Sequence, residues 1–357
     1  MTNRAILVFS SLLLFAYLLD IVGRRFRLPA VVLLIVTGIV ARQVLDRIGV
    51  VLGWVDPLVP VIGTIGLVLI VLEGALDLSL RRERAALVWR ASVAAGIGFV
   101  ACTAAFTYAF EAGFGLPRVA AVLVAMPFAV ISSAVAIPSA TGLAQDAREF
   151  VTYESSISDI LGVLVFYAWL GAQGDLGAFA YDLFGGGAIS LAAALAAGVG
   201  LLYLINRIEG HVRFLPLLAG LLLLYSVGKA LHLSPLVLVL VCGLLLNNPH
   251  LFERSRRLGR LFKDGYDDTL AEFKGLVVEL TFAVRSFFFL MLGYWTELGH
   301  MGEWRAWAAA ALVVAVIYAT RWAILRALGQ SESGRLLWLA PRGLITVLLF
   351  LAAAETG

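Results

Sequence analysis

The chain has 357 residues, 61% of them hydrophobic and 14% charged, with a mean hydropathy of +0.96 and a formal net charge of +3 at pH 7. This composition excludes an ordinary water-soluble domain, and so small a net charge argues against a nucleic-acid-binding protein. The apolar runs are mostly about 17 to 28 residues long, enough at ~1.5 Å per residue to cross a hydrocarbon core of ~30 Å. The sequence therefore predicts an all-α polytopic membrane protein.

Twelve membrane spans are predicted in chain order. They lie at about 5–22, 28–45, 57–76, 87–110, 117–143, 150–172, 178–205, 214–231, 235–247, 275–297, 304–328 and 335–354. The first run has Arg4 ahead of it and no small-residue cleavage site before Arg24 and Arg25. It therefore resembles an uncleaved span more than a signal peptide.

The basic residues separate cleanly onto the two sides of these spans. Of the 27 Lys and Arg residues, 18 fall on one side, 6 fall on the other, and 3 lie within spans, namely Arg285, Arg321 and Arg342. The positive-inside rule makes the larger group cytoplasmic and places the N-terminus outside. We expect an integral protein of the bacterial inner (plasma) membrane.

Two spans are predicted to be interrupted in mid-membrane. Each combines a proline with small or hydroxylated residues, at Pro138 in the fifth span and at Pro341 and Gly343 in the twelfth. A proline leaves backbone groups that hydrocarbon cannot satisfy, so such breaks are tolerated where they line a cavity. The alternative is that each proline only kinks an ordinary helix.

The two breaks occupy corresponding positions in two halves of the chain. The predicted organisation is a first repeat of six spans at 1–173, a linker span at 174–213 and a second repeat at 214–357. The fifth member of each half is broken, and the odd number of helices between the halves makes the repeats inverted. Paired interrupted helices of this kind indicate the binding site of a secondary transporter.

An acidic cluster, Glu154-Ser-Ser-Ile-Ser-Asp159, opens the sixth span. An ionisable residue within a span marks an ion or proton path by default. Arg321 is a buried guanidinium that needs an anion, so we assign Glu154 to it as a structural ion pair and leave Asp159 with water and hydroxyls. The alternative is a static core in which Arg321 and Arg285 hold both carboxylates.

A carboxylate in the position of Asp159 holds either a proton or a small cation, but not both, and this competition couples the two. Monovalent cations prefer oxygen ligands, and the sequence offers several beside the predicted breaks. The candidate ligands are Asp159, the hydroxyls of Ser132, Ser133, Ser158 and Thr346, and carbonyls freed near Pro138. Arg342 is expected to offset the negative ends of the half-helix dipoles there.

The remaining polar residues, the cysteines and the histidines do not predict a further site. The segment 247–274 is predicted to be a cytoplasmic connection, either an amphipathic helix on lipid headgroups or a solvated loop. Cys102 and Cys242 lie within apolar runs as small core residues. The histidines lack metal-ligand spacing and no catalytic motif is present, so neither an enzyme nor a cofactor is expected; they are His211, His232, His250 and His300.

Four segments resemble those of monovalent cation:proton antiporters of the sodium/proton exchanger type. Tyr153–Asp159 resembles their Gly-Glu-Ser-Leu-Leu-Asn-Asp signature, and Val130–Ile137 resembles the first crossing helix, nearer to that of the potassium/proton branch. Tyr318–Arg321 resembles the helix whose arginine pairs with the signature glutamate, and Pro341–Ile345 resembles the second crossing helix. The resemblance implies exchange of Na⁺ or K⁺ for H⁺ by a homodimer whose moving core carries the ion.

Three departures from the family pattern limit what the resemblance implies. Ser158 stands where exchangers have asparagine or a second aspartate, so one proton per cation is the simplest stoichiometry. The Thr-Asp-Pro acid of the first crossing helix is absent, which removes a clue to Na⁺ against K⁺. The chain ends at Gly357, after the twelfth span, so a final thirteenth helix is expected to be missing from the second repeat.

The sequence leaves two other classes of function open. One is a membrane-embedded sensor or channel component that has the antiporter fold without exchange, which a closed pocket around Asp159 would favour. The other is an intramembrane enzyme, for which the sequence offers little.

Overall fold

The computed structural model describes residues 2–26, 30–47, 49, 59–80, 82–140, 142–207, 214–231, 233, 235–251, 266–296, 299, 302–329 and 333–354. Within these ranges the regular structure is helical. The α-helices are α1 Thr2–Phe26, α2 Ala30–Arg47, α3 Val59–Asp77, α4 Ala85–Phe114, α5 Arg118–Ala129, α6 Ser133–Ser139, α7 Gln145–Ala172, α8 Leu176–Ala180, α9 Gly187–Arg207, α10 Leu215–Ala230, α11 Pro235–Asn247, α12 Tyr266–Trp295, α13 Trp304–Ala327, α14 Ser333–Leu336 and α15 Leu344–Ala354.

Each predicted span coincides with one helix or with a pair of consecutive helices. In the described part of the chain, five helices are long and apolar enough to cross a membrane; they are Ala85–Phe114, Gln145–Ala172, Leu176–Tyr203, Tyr266–Trp295 and Ala306–Ala327. Further apolar helices of 10–17 residues include α5, α10 and α11. The all-α fold class is confirmed, and the number of spans stays a prediction.

Local sequence explains the C-terminal end of α4 and the start of α8. α4 ends at Gly115, whose left-handed φ of 66° favours glycine and whose N–H donates to the Glu111 carbonyl. α8 begins at Asp175, whose carboxylate accepts the N–H groups of Gly177 and Ala178.

The chain divides into two compact units. The first comprises residues 1–67 and 278–310, and the second comprises residues 68–277 and 311–357. In the first unit, glycines allow α2 and α12 to approach backbone to backbone: a Cβ on Gly38 would overlap the Leu290 carbonyl, and one on Gly293 would overlap the Ile35 carbonyl. Small residues at such crossings are a common basis of helix packing in membranes.

The second unit contains the larger core and all the polar groups of the predicted site except Arg285. A cluster of aromatic side chains includes Phe106, Phe110 and Phe128, with ring centroids 5.8 to 6.0 Å apart. A second apolar cluster joins Phe150 and Tyr153 of α7 to residues of α4, α6 and α13. α7 therefore passes through the interior of this unit.

Side-chain hydrogen bonds hold the non-helical connection that follows α3. The Leu80 N–H donates to Asn248 Oδ1 at 2.6 Å, and Asn248 Nδ2 donates to the Leu78 carbonyl at 2.9 Å. The Tyr153 hydroxyl donates to the Ser79 carbonyl at 2.8 Å. Backbone groups without helical partners are thus satisfied by buried side chains.

Several sequence predictions concern residues outside the described ranges. Half of the segment 247–274 belongs to them. α11 and a short 3₁₀ turn at Pro249–Leu251 precede residues 252–265, which lie outside the described ranges, and α12 begins at Tyr266. His211, His232 and His300 also lie outside the described residues.

Candidate functional site

The fifth predicted span is interrupted at residues 130–132, between α5 and α6. The backbone is extended there, with φ/ψ of −76°/131° at the first residue and −75°/118° at the last. Three consecutive N–H groups that lack a helical acceptor are each satisfied at 2.9 Å. The pairs are Ile131 N–H with Ser158 Oγ, Ser132 N–H with the Pro341 carbonyl, and Ser133 N–H with Asp159 Oδ2.

The position of this interruption differs from the one that the sequence predicts. Pro138, the residue expected to break the helix, lies near the end of α6, which runs over Ser133–Ser139. A proline at the end of so short a helix removes little internal hydrogen bonding. The chain is opened before α6 instead, where acceptors on α7 and at Pro341 replace those of a helix.

The second interruption, at residues 339–343, crosses the first. Pro341 and Gly343 both lie in this non-helical segment between α14 and α15. The Pro341 carbonyl accepts the Ser132 N–H, and a Cβ on Gly343 would overlap the Ser132 side chain. Only glycine leaves room for the two segments to pass at this separation.

One side of α7 lies against the first interruption. Ser158 and Asp159 accept its N–H groups, and Gly162, about one turn further along, meets Val130, because a Cβ there would overlap the Val130 side chain. The Asp159 side chain is buried, with the residue 6% exposed. A buried carboxylate that accepts a backbone N–H is thereby placed at the helix break.

Glu154 and Arg321 form a buried bidentate ion pair across this unit. Arg321 Nη1 donates to Glu154 Oε1 at 2.9 Å and Nη2 donates to Oε2 at 3.0 Å, while Nε donates to the Leu336 carbonyl at 2.8 Å. Both side chains are at most 5% exposed. This fork geometry is the strongest form of carboxylate recognition by arginine, and it links α7 to α13.

Arg342 is bound by carbonyl oxygens. Its Nε donates to the Phe128 carbonyl and its Nη1 donates to the Ala340 carbonyl, each at 2.8 Å. Phe128 lies in the last turn of α5, whose carbonyls carry the negative end of the helix dipole. The guanidinium therefore caps the carbonyl end of α5, which ends at the interruption.

A cavity of about 20 Å³ lies beside the ion pair. That volume is sufficient for about one water molecule. Its polar lining consists of Glu154, Ser158, Thr320, Arg321 and Arg342, together with the buried thiol of Cys102, whose sulfur is 2.9 Å from Thr320 Oγ1.

Some of the other predicted site residues lie at the first interruption and others lie elsewhere. Ser132 and Ser133 are buried at the interruption, and Thr346 is buried on α15, where its hydroxyl has no hydrogen-bond partner among the described residues. Ser158 is brought to the site as an acceptor for the backbone. Arg285 belongs to the first unit and is half-buried.

Sequence reasoning missed Gly162. Its role depends on a steric contact with Val130 that only the folded chain creates. The available signal was a lone glycine about one turn after Asp159 within an apolar run, which marks a close approach of another backbone or side chain. A single glycine among 35 is too weak a signal to choose from the sequence.

Comparisons with known proteins identify the family and a similar fold. Residues 10–357 match the family model described as "Sodium/hydrogen exchanger, transmembrane". The fold is similar to the structure of the sodium proton antiporter MjNhaP1 from Methanocaldococcus jannaschii at pH 8, with a TM-score of 0.75 and 20% sequence identity over 99% of this chain and 86% of that chain. An electron-microscopy structure of the same antiporter gives the same TM-score and identity, with 85% of that chain covered.

Proposed function

The chain belongs to the sodium/hydrogen exchanger family, a family of transporters and not of enzymes, and from this membership we propose that it exchanges a monovalent cation, Na⁺ or K⁺, for H⁺ across the membrane. The observation that carries the proposal is the position of Asp159. Its buried carboxylate meets the N–H of Ser133 where two interrupted helices cross, in a membrane protein that carries few charges in its interior.

Proton and cation compete for Asp159 in this mechanism. When ionised, the carboxylate binds the cation together with oxygens from the crossing segments. The candidates are the hydroxyls of Ser132, Ser133, Ser158 and Thr346 and nearby backbone carbonyls. When protonated, the same carboxylate is neutral and releases the cation. Because only one species is bound at a time, transport of one is coupled to transport of the other.

The other charged groups keep the site intact without binding the ion. The pair between Glu154 and Arg321 ties α7 to α13, and Arg342 neutralises the carbonyl end of α5. Each buried charge has hydrogen-bond partners, as buried ions require. We propose that they allow the crossing segments and α7 to move together as a homodimer alternates between its two facing states, with the N-terminus outside.

Replacement of the carboxylate tests this proposal directly. Asp159→Asn should abolish cation-dependent proton movement, measured with a pH-sensitive dye in proteoliposomes to which Na⁺, K⁺ or Li⁺ is added. Asp146→Asn is a matched control on the same helix, because Asp146 is exposed and pairs with Arg84 at the surface. The control should exchange at the rate of the unmodified chain.

The possible results separate the candidate functions. Full exchange by Asp159→Asn would reject the site assignment while leaving the function intact. Absence of exchange by the unmodified chain with all three cations would reject the antiporter proposal and favour a membrane-embedded sensor or channel component. The cation that gives the fastest exchange identifies the substrate.

A further inference from the structure

Ser156 is a buried polar residue of α7 that the proposed mechanism does not use. It is 1% exposed, and among the described residues its hydroxyl has no hydrogen-bond partner. Buried polar groups are nearly always hydrogen-bonded, and the exceptions need an explanation.

The neighbouring hydroxyls show how unusual this is. Serine and threonine within helices commonly donate to the carbonyl four residues earlier. Ser155 does so to Val151 at 2.7 Å, and Thr152 does so to Arg148 at 3.0 Å on the same helix. Ser156 does not make this bond, so its hydroxyl remains available to a group from outside the helix.

The direction of Ser156 follows from residues on either side of it. Tyr153 lies one turn before it and donates its hydroxyl to the Ser79 carbonyl, in the segment after α3. Ile160 lies one turn after it and lines a small apolar cavity with Val71 of α3 and Leu236 of α11. Positions three and four apart share a helix face, so Ser156 faces α3 and α11 between these two contacts.

Asp159 follows Ser156 by three residues, so the two side chains are separated by about 60° around the helix axis. A serine hydroxyl offers two lone pairs to a cation and a hydrogen to an acceptor. The Ser156 hydroxyl lies on the side of α7 where Ile160 and Val163 contribute aliphatic side chains to the small cavity. A small cation that has lost part of its hydration shell needs such an oxygen.

We propose that the Ser156 hydroxyl is an oxygen ligand of the transported monovalent cation, bound one helical turn before Asp159 on the side of α7 that faces α3 and α11. This inference rests on the proposed function and adds to it a residue that determines cation affinity. Ser156 contributes one oxygen to the bound cation, and Asp159 contributes the carboxylate.

Removal of the hydroxyl tests the inference. In the proteoliposome assay, Ser156→Ala should raise the half-saturating cation concentration about three- to tenfold, with the maximal rate little changed, because one ligand is lost while Asp159 remains. Thr107→Val is the matched control: Thr107 is also buried with a hydroxyl that has no hydrogen-bond partner in the described residues, but it lies on α4 beside Phe106. The control should retain the half-saturating concentration of the unmodified chain.

Ser156→Cys provides a second variant that keeps the volume of the side chain. Sulfur is a poor ligand for hard cations and a better one for soft cations. The cysteine variant should therefore bind Na⁺ and K⁺ as weakly as Ser156→Ala does, but Tl⁺ more tightly than Ser156→Ala does. If Ser156→Ala leaves a cavity that prevents folding, Ser156→Cys still tests whether the Ser156 hydroxyl binds the cation.

Cation binding can be measured without transport as the shift that Tl⁺ or Na⁺ causes in the melting temperature of the protein in detergent. The inference predicts that Ser156→Ala reduces this shift whether or not the unmodified chain exchanges protons in vesicles. An unchanged half-saturating concentration and an unchanged cation-dependent shift in Ser156→Ala would overturn the inference. Failure of exchange by the unmodified chain would instead count against the proposed function.

Discussion

Among single residues, Glu154 and Asp159 have different surroundings although both are buried carboxylates of α7. Glu154 receives two hydrogen bonds from Arg321, whereas Asp159 Oδ2 receives one from the Ser133 backbone. A carboxylate held by a guanidinium in a bidentate pair is committed to that partner. The pairing of Glu154 with Arg321 follows from the sequence because arginine keeps its charge and therefore needs an anion.

Glu154→Ala should destabilise the protein strongly, because it leaves Arg321 buried without its anion. We expect a loss of about 3 to 5 kcal/mol in the free energy of unfolding, as for other broken buried pairs. Glu111→Ala is the control, since Glu111 faces an exposed Arg118 at 4.0 Å and such surface pairs contribute about 0 to 1 kcal/mol. Thermal unfolding in detergent checks both, and equal melting temperatures for the two variants would contradict a structural role of the ion pair.

Asn248 provides a prediction at a site distant from Asp159. The residue is fully buried and binds the connection after α3 through Leu80 and Leu78. Asn248→Leu should cost about 1 to 3 kcal/mol of stability, because it leaves the Leu80 N–H without this acceptor. Asn247→Leu should cost less, since Asn248 still donates to the Leu78 carbonyl in that variant. A larger loss of thermal stability in Asn247→Leu would reverse the assignment.

At the scale of elements, the site is made by two interruptions and one continuous helix. The pattern of proline and glycine predicts that both the fifth and the twelfth spans are broken, and it locates the second break at Pro341 and Gly343. It misplaces the first, because Pro138 lies inside α6 while the break is held open by Ser158, Asp159 and a carbonyl from the other segment. Those partners are distant in sequence, so local propensity cannot indicate them.

Gly343→Ala tests whether the crossing of the two segments requires glycine. A Cβ at this position would overlap the Ser132 side chain, so the segments should separate and cation-dependent exchange in proteoliposomes should fall at least about tenfold. Gly334→Ala, on α14 with open space around it, should leave exchange unchanged. Adding Ser132→Gly to Gly343→Ala removes the overlap and should recover part of the rate. Unaltered exchange by Gly343→Ala alone would show that the close approach is dispensable.

At the scale of the whole molecule, composition and hydropathy predict the all-α membrane fold almost completely. The helix bounds follow the predicted spans within a few residues over most of the described chain, and the family match extends over residues 10–357. The alternation of basic loops also predicts the orientation of the chain in the membrane. The interrupted spans predict two inverted repeats. Both stay predictions. The substrate cation is not encoded in any one motif, because hydroxyl and carbonyl oxygens bind Na⁺ and K⁺ alike and selectivity depends on the size of the site.

The dependence of exchange kinetics on pH tests most directly whether proton and cation share Asp159. In reconstituted protein, the half-saturating cation concentration should rise as the pH falls. In the pH range where Asp159 is protonated in the absence of cation, this rise should reach up to about tenfold per pH unit. The maximal rate at saturating cation should stay unchanged. This follows because raising the cation concentration displaces the proton from the single carboxylate. A half-saturating concentration that is independent of pH, with a maximal rate that falls on acidification, would contradict competition at one site.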